Sequence, residues 1–185
     1  TLRNSADKLN ALLSRLARYN ANPAERREAT DLRDIGQRVI ARFQGAHRID
    51  LIRFDRCEVL ADPEALEQSL VHLVQNAVDA SDESSPIALE ISSDGLRGMV
   101  QVVDSGSGMS AQFIREDLFR PFVSTRNGGF GVGAFEAREL IRAMGGQLDV
   151  DSRPGLGTRF TVTLPMVDAA QLIAASQNPD KQEVA

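Results

Sequence analysis

One stretch constrains this chain more than any other: between Ser69 and Ser81 the only charge is Asp79. Asp62 and Pro63 supply an N-cap and a first-turn proline, and the helix they launch is predicted to run through about Ala80. At a hundred degrees per residue, Leu66, Leu70, Leu73, Val74 and Ala77 cover one side and Val71 and Val78 the flanks. Ser69, His72, Asn76 and Asp79 share one narrow face. A helix this apolar must be enclosed by other elements, and a freely solvated outer face is a poor account of its polar strip. The strip is expected to line a cavity.

The chain can provide such an enclosure. Its 185 residues suffice for one ordinary domain with a core, plus an appendage. Hydrophobic residues at 42% and charged residues at 25% match a folded, water-soluble protein. The net charge of −5 disfavours general binding to nucleic acid or acidic membranes. Cys57 is alone, so no internal disulfide forms, and no Cys/His cluster has metal-ligand spacing. No apolar run is long enough to span a bilayer, and Thr1 opens no signal-peptide pattern. The expectation is a cytoplasmic piece of a larger protein that can carry a membrane sensor upstream.

Around the central helix the pattern is mixed. Leu2, Ala6, Leu9, Leu13 and Leu16 alternate steps of four and three, a short heptad seam that suits a pairing helix or a helix folded on its own domain. Asn20 to Pro23 breaks it. Asp31 is positioned to cap a helix bearing Leu32, Ile35, Val39, Ile40 and Phe43. Strands are predicted at Ile49 to Asp55, Cys57 to Ala61, Ile87 to Ser92, Met99 to Val103, Gln147 to Asp151 and Thr158 to Leu164. Ser110 caps a short helix toward Phe119, and a later helix carries Val132, Phe135, Leu140, Ile141 and Met144 before Gly145 and Gly146 stop it. The whole reads as α+β, a two-layer sandwich of mixed sheet and helices. Residues 1–22 form the appendage and linker, 23–165 the domain and 166–185 a polar tail.

Three constellations carry chemistry. Asn76, on the polar strip, can hold a hydrated Mg²⁺ that takes few protein oxygens, with Asp79 nearby; the competing reading has both side chains bonding neighbouring backbone. Asp104 ends a strand and is followed by Gly106 and Gly108, which together offer an acceptor for an exocyclic amine and room for a flat ring; taken singly, this spacing is more often a turn. Gly128 to Gly133 precedes a helix, where main-chain N–H groups and the helix dipole suit a phosphate. No Gly-Lys-Ser/Thr follows, and no preceding strand makes it a dinucleotide fingerprint.

In this order and spacing the three resemble the GHKL, or Bergerat-fold, ATPases: histidine kinases, DNA gyrase, a mismatch-repair ATPase and a heat-shock chaperone. Leu73 to Ala77 is similar to the N box and Asp104 to Gly108 to the first glycine box. Leu118 to Phe122 resembles the F box of histidine kinases, Gly129 to Gly133 the second glycine box, and Gly155 to Thr158 the last. The resemblance covers roughly Thr30 to Pro165. It implies ATP and Mg²⁺ as cofactors, with Asn76 on the metal, Asp104 on the adenine amine and Thr158 near the base. Ser124 to Gly133, including Gly129, Gly131, Val132 and Gly133, would form a lid over the triphosphate. Arg126 would reach phosphate from it or remain a surface arginine. Phe119 and Phe122 are expected to anchor the lid by packing.

Hydrolytic members such as gyrase carry a glutamate four residues before the metal-binding asparagine; His72 stands there in this chain. The resemblance therefore favours phosphoryl transfer to a protein side chain, with His72 orienting the nucleophile or metal-bound water. The competing reading makes His72 a satisfied, buried hydrogen-bonding group. A sensor histidine kinase is implied, with the opening helix as the second helix of a dimerisation and phosphotransfer hairpin, a response regulator downstream, and the acceptor histidine upstream of Thr1. Neither His47 nor His72 resembles an exposed acceptor. Phe130 and Ala134 depart from the usual lid motif, and Gly129 to Ala134 resembles the variant of PrsK-type kinases. An anti-sigma-type serine kinase and a non-catalytic, ATP-governed interaction module are the alternatives.

Overall fold

The computed structural model describes residues 23–123 and 131–169. The expected pairing helix within residues 1–22, the lid residues Arg126 and Gly129, and residues 170–185 lie outside them. The described strands are β1 (Glu28–Asp31), β2 (Ile49–Phe54), β3 (Glu58–Ala61), β4 (Ile87–Ser93), β5 (Arg97–Asp104), β6 (Gln147–Arg153) and β7 (Gly157–Pro165). The helices are α1 (Leu32–Arg42), α2 (Pro63–Ala80), α3 (Ala111–Glu116) and α4 (Gly133–Ala143).

Five strands form one mixed sheet in the order β2-β4-β5-β7-β6. β2 runs parallel to β4, and the other neighbours are antiparallel. The pleat alternates side chains between faces. Leu89, Val102 and Phe160 stand in one cross-strand row, with Ile91, Val100 and Val162 in the next; all six are buried. The intervening row carries Glu90, Gln101, Thr161 and Asp149, which are not buried, and Gln101 bonds Thr161 there at 3.3 Å. One face is therefore dry and the other wet. Ile35 and Val39 of α1, Leu66, Leu70, Leu73 and Val74 of α2, and Ala137, Ile141 and Met144 of α4 belong to the same core as the dry face. The α+β sandwich expected from the pattern is the observed architecture.

Two features departed from expectation. β3 does not join the large sheet but pairs antiparallel with β1, forming a separate two-stranded ribbon. The segment Glu-Ala-Thr-Asp of β1 has no apolar alternation to signal a strand; its pairing is main-chain, supplemented by the buried Thr30 hydroxyl donating to Ala61 O at 3.2 Å. α3 stops at Glu116 rather than near Phe119, because the amides of both Asp117 and Leu118 turn back onto Phe113 O, each at 2.9 Å. Among the described residues no helix is long and apolar enough to cross a membrane. Cys57 is buried, and its thiol is pushed up to about 11 by desolvation first and then by Asp31, Asp55 and Asp94. A thiol so placed is inert at neutral pH.

The caps read from the sequence are in place. Asp31 Oδ1 accepts from Arg33 N at 2.8 Å at the start of α1. Asp62 Oδ1 accepts from Glu64 N at 3.0 Å and Ala65 N at 3.2 Å, and Pro63 occupies the first turn of α2. Asp62 is itself almost fully buried, so it satisfies helix donors that water cannot reach. Asp62→Ala is expected to lower unfolding stability by about 1–2 kcal/mol, and Asp62→Asn to recover most of it, as read by chemical denaturation.

Candidate functional site

α2 is the common neighbour of all three sequence constellations. Its polar strip divides on folding. Ser69 is fully buried and donates its hydroxyl to Ala65 O at 2.8 Å, so it belongs to the core rather than to a cavity wall. A short hydroxyl can bond within its own helix, which satisfies it without a site. Asp79 lies at the exposed end, accepting from Gln75 Nε2 one turn earlier. His72 and Asn76 remain between these extremes, half-buried, and they meet the start of α4. A β-carbon placed on Gly133 would sit 3.6 Å from His72 Nδ1 and 3.9 Å from Asn76 Oδ1.

The second constellation closes over the far end of α2. Ser107 N donates to Ala80 O at 3.0 Å, capping the helix, and Gly106 comes so close to Ala80 that a side chain there would strike its carbonyl. Asp104, buried at the end of β5, accepts on Oδ1 from Gly106 N at 2.9 Å and from Thr158 N at 3.2 Å. Two main-chain donors thus fix the carboxylate's orientation.

Thr158 faces Asp104 across the β5–β7 pair, so the last glycine box and the first meet through sheet register. Ser152, which the sequence reading missed, ties this corner together. Its hydroxyl donates to Gly157 O at 2.8 Å and accepts from Met109 N at 2.9 Å, which leaves Thr158 Oγ1 to donate to it at 3.0 Å. A serine in an alternating strand carries no pattern that marks it out. Gly108 has φ +64° with its α-carbon against Arg153 O, and Gly155 N donates to Ser107 O at 2.7 Å. The two turns are therefore stitched to each other.

The third constellation is described from Gly131 onward. Gly131, at φ +64°, packs on the Val123 main chain and accepts from Phe122 N at 2.9 Å, so the chain on either side of residues 124–130 is joined at the base. Val132 offers no side-chain cap to α4. First-turn amides without such a cap, at the positive end of a helix dipole, suit an anion. Phe119 packs against the core, and the Arg138 guanidinium of α4 lies 4.5 Å from its ring centroid; the lid it was expected to anchor lies outside the described residues. Phe122 is 44% exposed and in the left-handed region at φ +68°.

α4 also buries a residue that the sequence reading passed over. Glu136 is 3% exposed, whereas Phe135, expected on the apolar stripe, is only half-buried. Glu136 Oε2 lies 3.1 Å from His72 Nε2. The available signal was spacing: Val132, Glu136 and Leu140 are four apart, which puts the acid on the buried side. Among the described residues no group of three His, Cys, Asp or Glu side chains could hold a metal by itself. A cavity of about 520 Å³, lined by Leu96, Arg97, Gly146, Leu164 and Ala169 among others, opens at the other end of β5. Seven residue steps of strand separate Arg97 from Asp104, roughly 23 Å at about 3.3 Å per residue, so it is remote from these groups. Gly108→Ala should force the two stitched turns apart, costing about 2 kcal/mol or more in urea unfolding and disordering Asp104; an unchanged midpoint would contradict this packing.

Comparison with known proteins places this arrangement. The C4-dicarboxylate transport sensor protein DctB of Rhizobium meliloti (strain 1021) is 32% identical over 157 residues, covering 82% of this chain and 24% of that protein. The sensor histidine kinase ZraS of Klebsiella oxytoca is 31% identical over 169 residues, covering 87% of this chain and 36% of that protein. The chain thus spans about a quarter to a third of these relatives. The crystal structure of full-length ShkA in complex with AMPPNP superposes with a TM-score of 0.66 at 27% identity, covering 76% of this chain and 31% of that one. The nucleotide-free catalytic domain of the histidine kinase ThkA gives 0.64 at 26% identity, covering 75% and 95%. Residues 61–168 match the profile named histidine kinase-, DNA gyrase B- and HSP90-like ATPase, and with that match over more than half its length the chain belongs to this ATPase family.

Proposed function

We propose that this chain is the ATP-binding catalytic domain of a two-component sensor histidine kinase. In this reading it transfers the γ-phosphoryl group of ATP to a histidine outside this sequence, for relay to a response regulator. The observation that carries the reading is the convergence on α2 of a main-chain-locked carboxylate, an amide and a glycine-bounded helix start. The similarity to sensor kinases supports it over the other uses of the fold.

Asp104 accepts the adenine amine, its orientation set in advance by Gly106 N and Thr158 N, so little ordering cost remains when the ring binds. Gly106 and Gly108 let this segment pack directly on the main chain of Ala80 and Arg153, which holds Asp104 in place, and Thr158 lies beside the base. Gly131, Val132 and Gly133 bring the start of α4 to the phosphates, with Arg126 and Gly129 completing the lid. Asn76 Oδ1 is the protein's ligand to Mg²⁺, and Asp79 stands at the outer rim. A single amide fits that metal, which keeps several waters and takes its remaining ligands from phosphate. When bound, Mg²⁺ neutralises charge on the transferring phosphoryl group. His72 replaces the glutamate that would activate water, which suits transfer to a side chain over hydrolysis.

The partners in this reading are the acceptor-histidine helical domain of the same kinase and a response regulator, with dimerisation through the opening helix. Nucleic acid has no place in it. The cytoplasm, where ATP is available, is the compartment, and the parent protein carries any membrane anchor.

Calorimetry with a non-hydrolysable ATP analogue tests the pocket. Asp104→Asn is expected to weaken binding tenfold or more, from loss of a charged hydrogen bond worth about 1.5–3 kcal/mol. Asn76→Ala should instead remove the dependence of affinity on Mg²⁺. The chain alone should not label itself from γ-phosphate-labelled ATP, whereas a separately made acceptor hairpin should gain acid-labile phosphohistidine. Acid-stable phosphoserine would support the serine-kinase alternative, and tight binding without transfer a passive module.

A further inference from the structure

The last described residues turn into the fold where a chain leaving its domain would turn out. β7 ends at Pro165, and Met166 is held on two sides, its amide donating to Leu96 O at 3.0 Å and its main chain bridging Val59. The direction of the chain is therefore fixed at this point. Residues 167–169 are helical, and Ala169, 6% exposed, lines the cavity of about 520 Å³ at this end of β5. Leu164, at 1% exposed, belongs to the same lining, whereas Leu96, Arg97 and Gln147 are its exposed members. Gly146 makes one wall of bare main chain: a β-carbon there would sit 2.6 Å from Thr163 O, so the turn after α4 lies directly on β7. Apolar depth beneath a polar rim is an arrangement that receives apolar side chains. Native interiors leave few voids much larger than a water molecule, so a space of this size needs an occupant.

We propose that the chain's own C-terminal segment is that occupant, continuing the helical turn beyond Ala169 and laying Leu172 and Ile173 into the cavity. Helical periodicity selects these two, which follow Ala169 by three and four residues and so share its face. Within residues 170–185 only Leu172, Ile173 and Val184 are large and apolar. Pro179 limits the helix, because the residue before a proline disfavours helical backbone. Charge separates this occupant from the leucine-bearing opening segment, whose continuation also passes nearby. Arg27 Nη1 lies 3.4 Å from the β-carbon position of Gly145, a cavity residue, and Arg97 is exposed in the lining. Residues 1–22 carry Arg3, Lys8, Arg15 and Arg18 against Asp7 alone, so they would meet like charge there. Residues 170–185 carry Asp180 and Glu183 against Lys181, which suits the two arginines. Seated in this way, the segment covers Leu96 and joins the end of β7 to the turn that closes α4. It is then part of the domain rather than a polar tail.

Methyl NOE spectra of the intact 185-residue chain test the placement, and they read the wild type, so no variant has to fold. The methyls of Leu172 and Ile173 are expected to show NOEs to those of Leu96 and Leu164. Leu172→Ser combined with Ile173→Ser should remove them and lower the urea midpoint. The Met166 amide, bonded to Leu96 O, should then exchange faster by on the order of tenfold or more. NOEs from the cavity to the leucines of residues 1–22 would overturn the proposal by naming a different occupant. So would intermolecular NOEs in a mixture of labelled and unlabelled chains, the sign of a second copy, or Leu172 and Ile173 methyls with no long-range NOE. A double variant with an unchanged midpoint and unchanged Met166 exchange would overturn it as well. None of these readouts involves nucleotide, so the outcome is independent of the kinase reading.

Discussion

Everything in this molecule is referenced to the burial of α2. Its apolar sides are taken up by the sheet and the neighbouring helices, with Leu66, Leu70, Leu73 and Val74 at zero exposure. Burying such a side chain contributes roughly 1.5–3 kcal/mol, so rotating the helix to expose even two of them costs a large part of a typical domain's stability. The azimuth of the helix is therefore not adjustable. With it fixed, His72 and Asn76 can only point where α4 begins, and Ala80 can only present its carbonyl to the loop after β5.

The buried polar groups follow from that geometry. Asp104, Thr158 and Glu136 are each under 10% exposed, and each lies where two elements meet. An unsatisfied polar group at such a depth costs more than most single contacts contribute. Asp104 is answered by main-chain donors on either side and Thr158 by Ser152, while Glu136 Oε2 stands at ion-pair distance, 3.1 Å, from His72 Nε2. The Asp104 and Thr158 junctions are thus specified twice, by packing and by hydrogen bonding. Phe122 differs from these, a non-glycine residue in left-handed backbone that is 44% exposed. Its amide bond to Gly131 O sits at the base of the glycine loop, and strain there is tolerated because that bond closes the loop's two ends.

Much of this was legible because it depends on local chemistry. Asp31 and Asp62 announce helix starts, since a short acceptor before an amphipathic run has one best use. The alternation in β4, β5 and β7 separates the dry from the wet face without any knowledge of neighbours. Other features were hidden because they arise between distant segments. β1 is a strand only through its pairing with β3, and Ser152 matters only through the turn laid against it.

Glu136 marks the boundary between the two kinds of knowledge. The amino-acid sequence by itself determined the element types, the caps, the α+β class and the order of the glycine-bounded segments, because hydrophobic period and turn chemistry act within one or two turns of chain. The tertiary structure alone decided which members of the α2 strip face the site and which do not. It alone set Asp104 against Thr158 and Glu136 against His72. Those pairings depend on strand register and helix azimuth, quantities fixed by the packing of residues far apart in the chain rather than by any local preference.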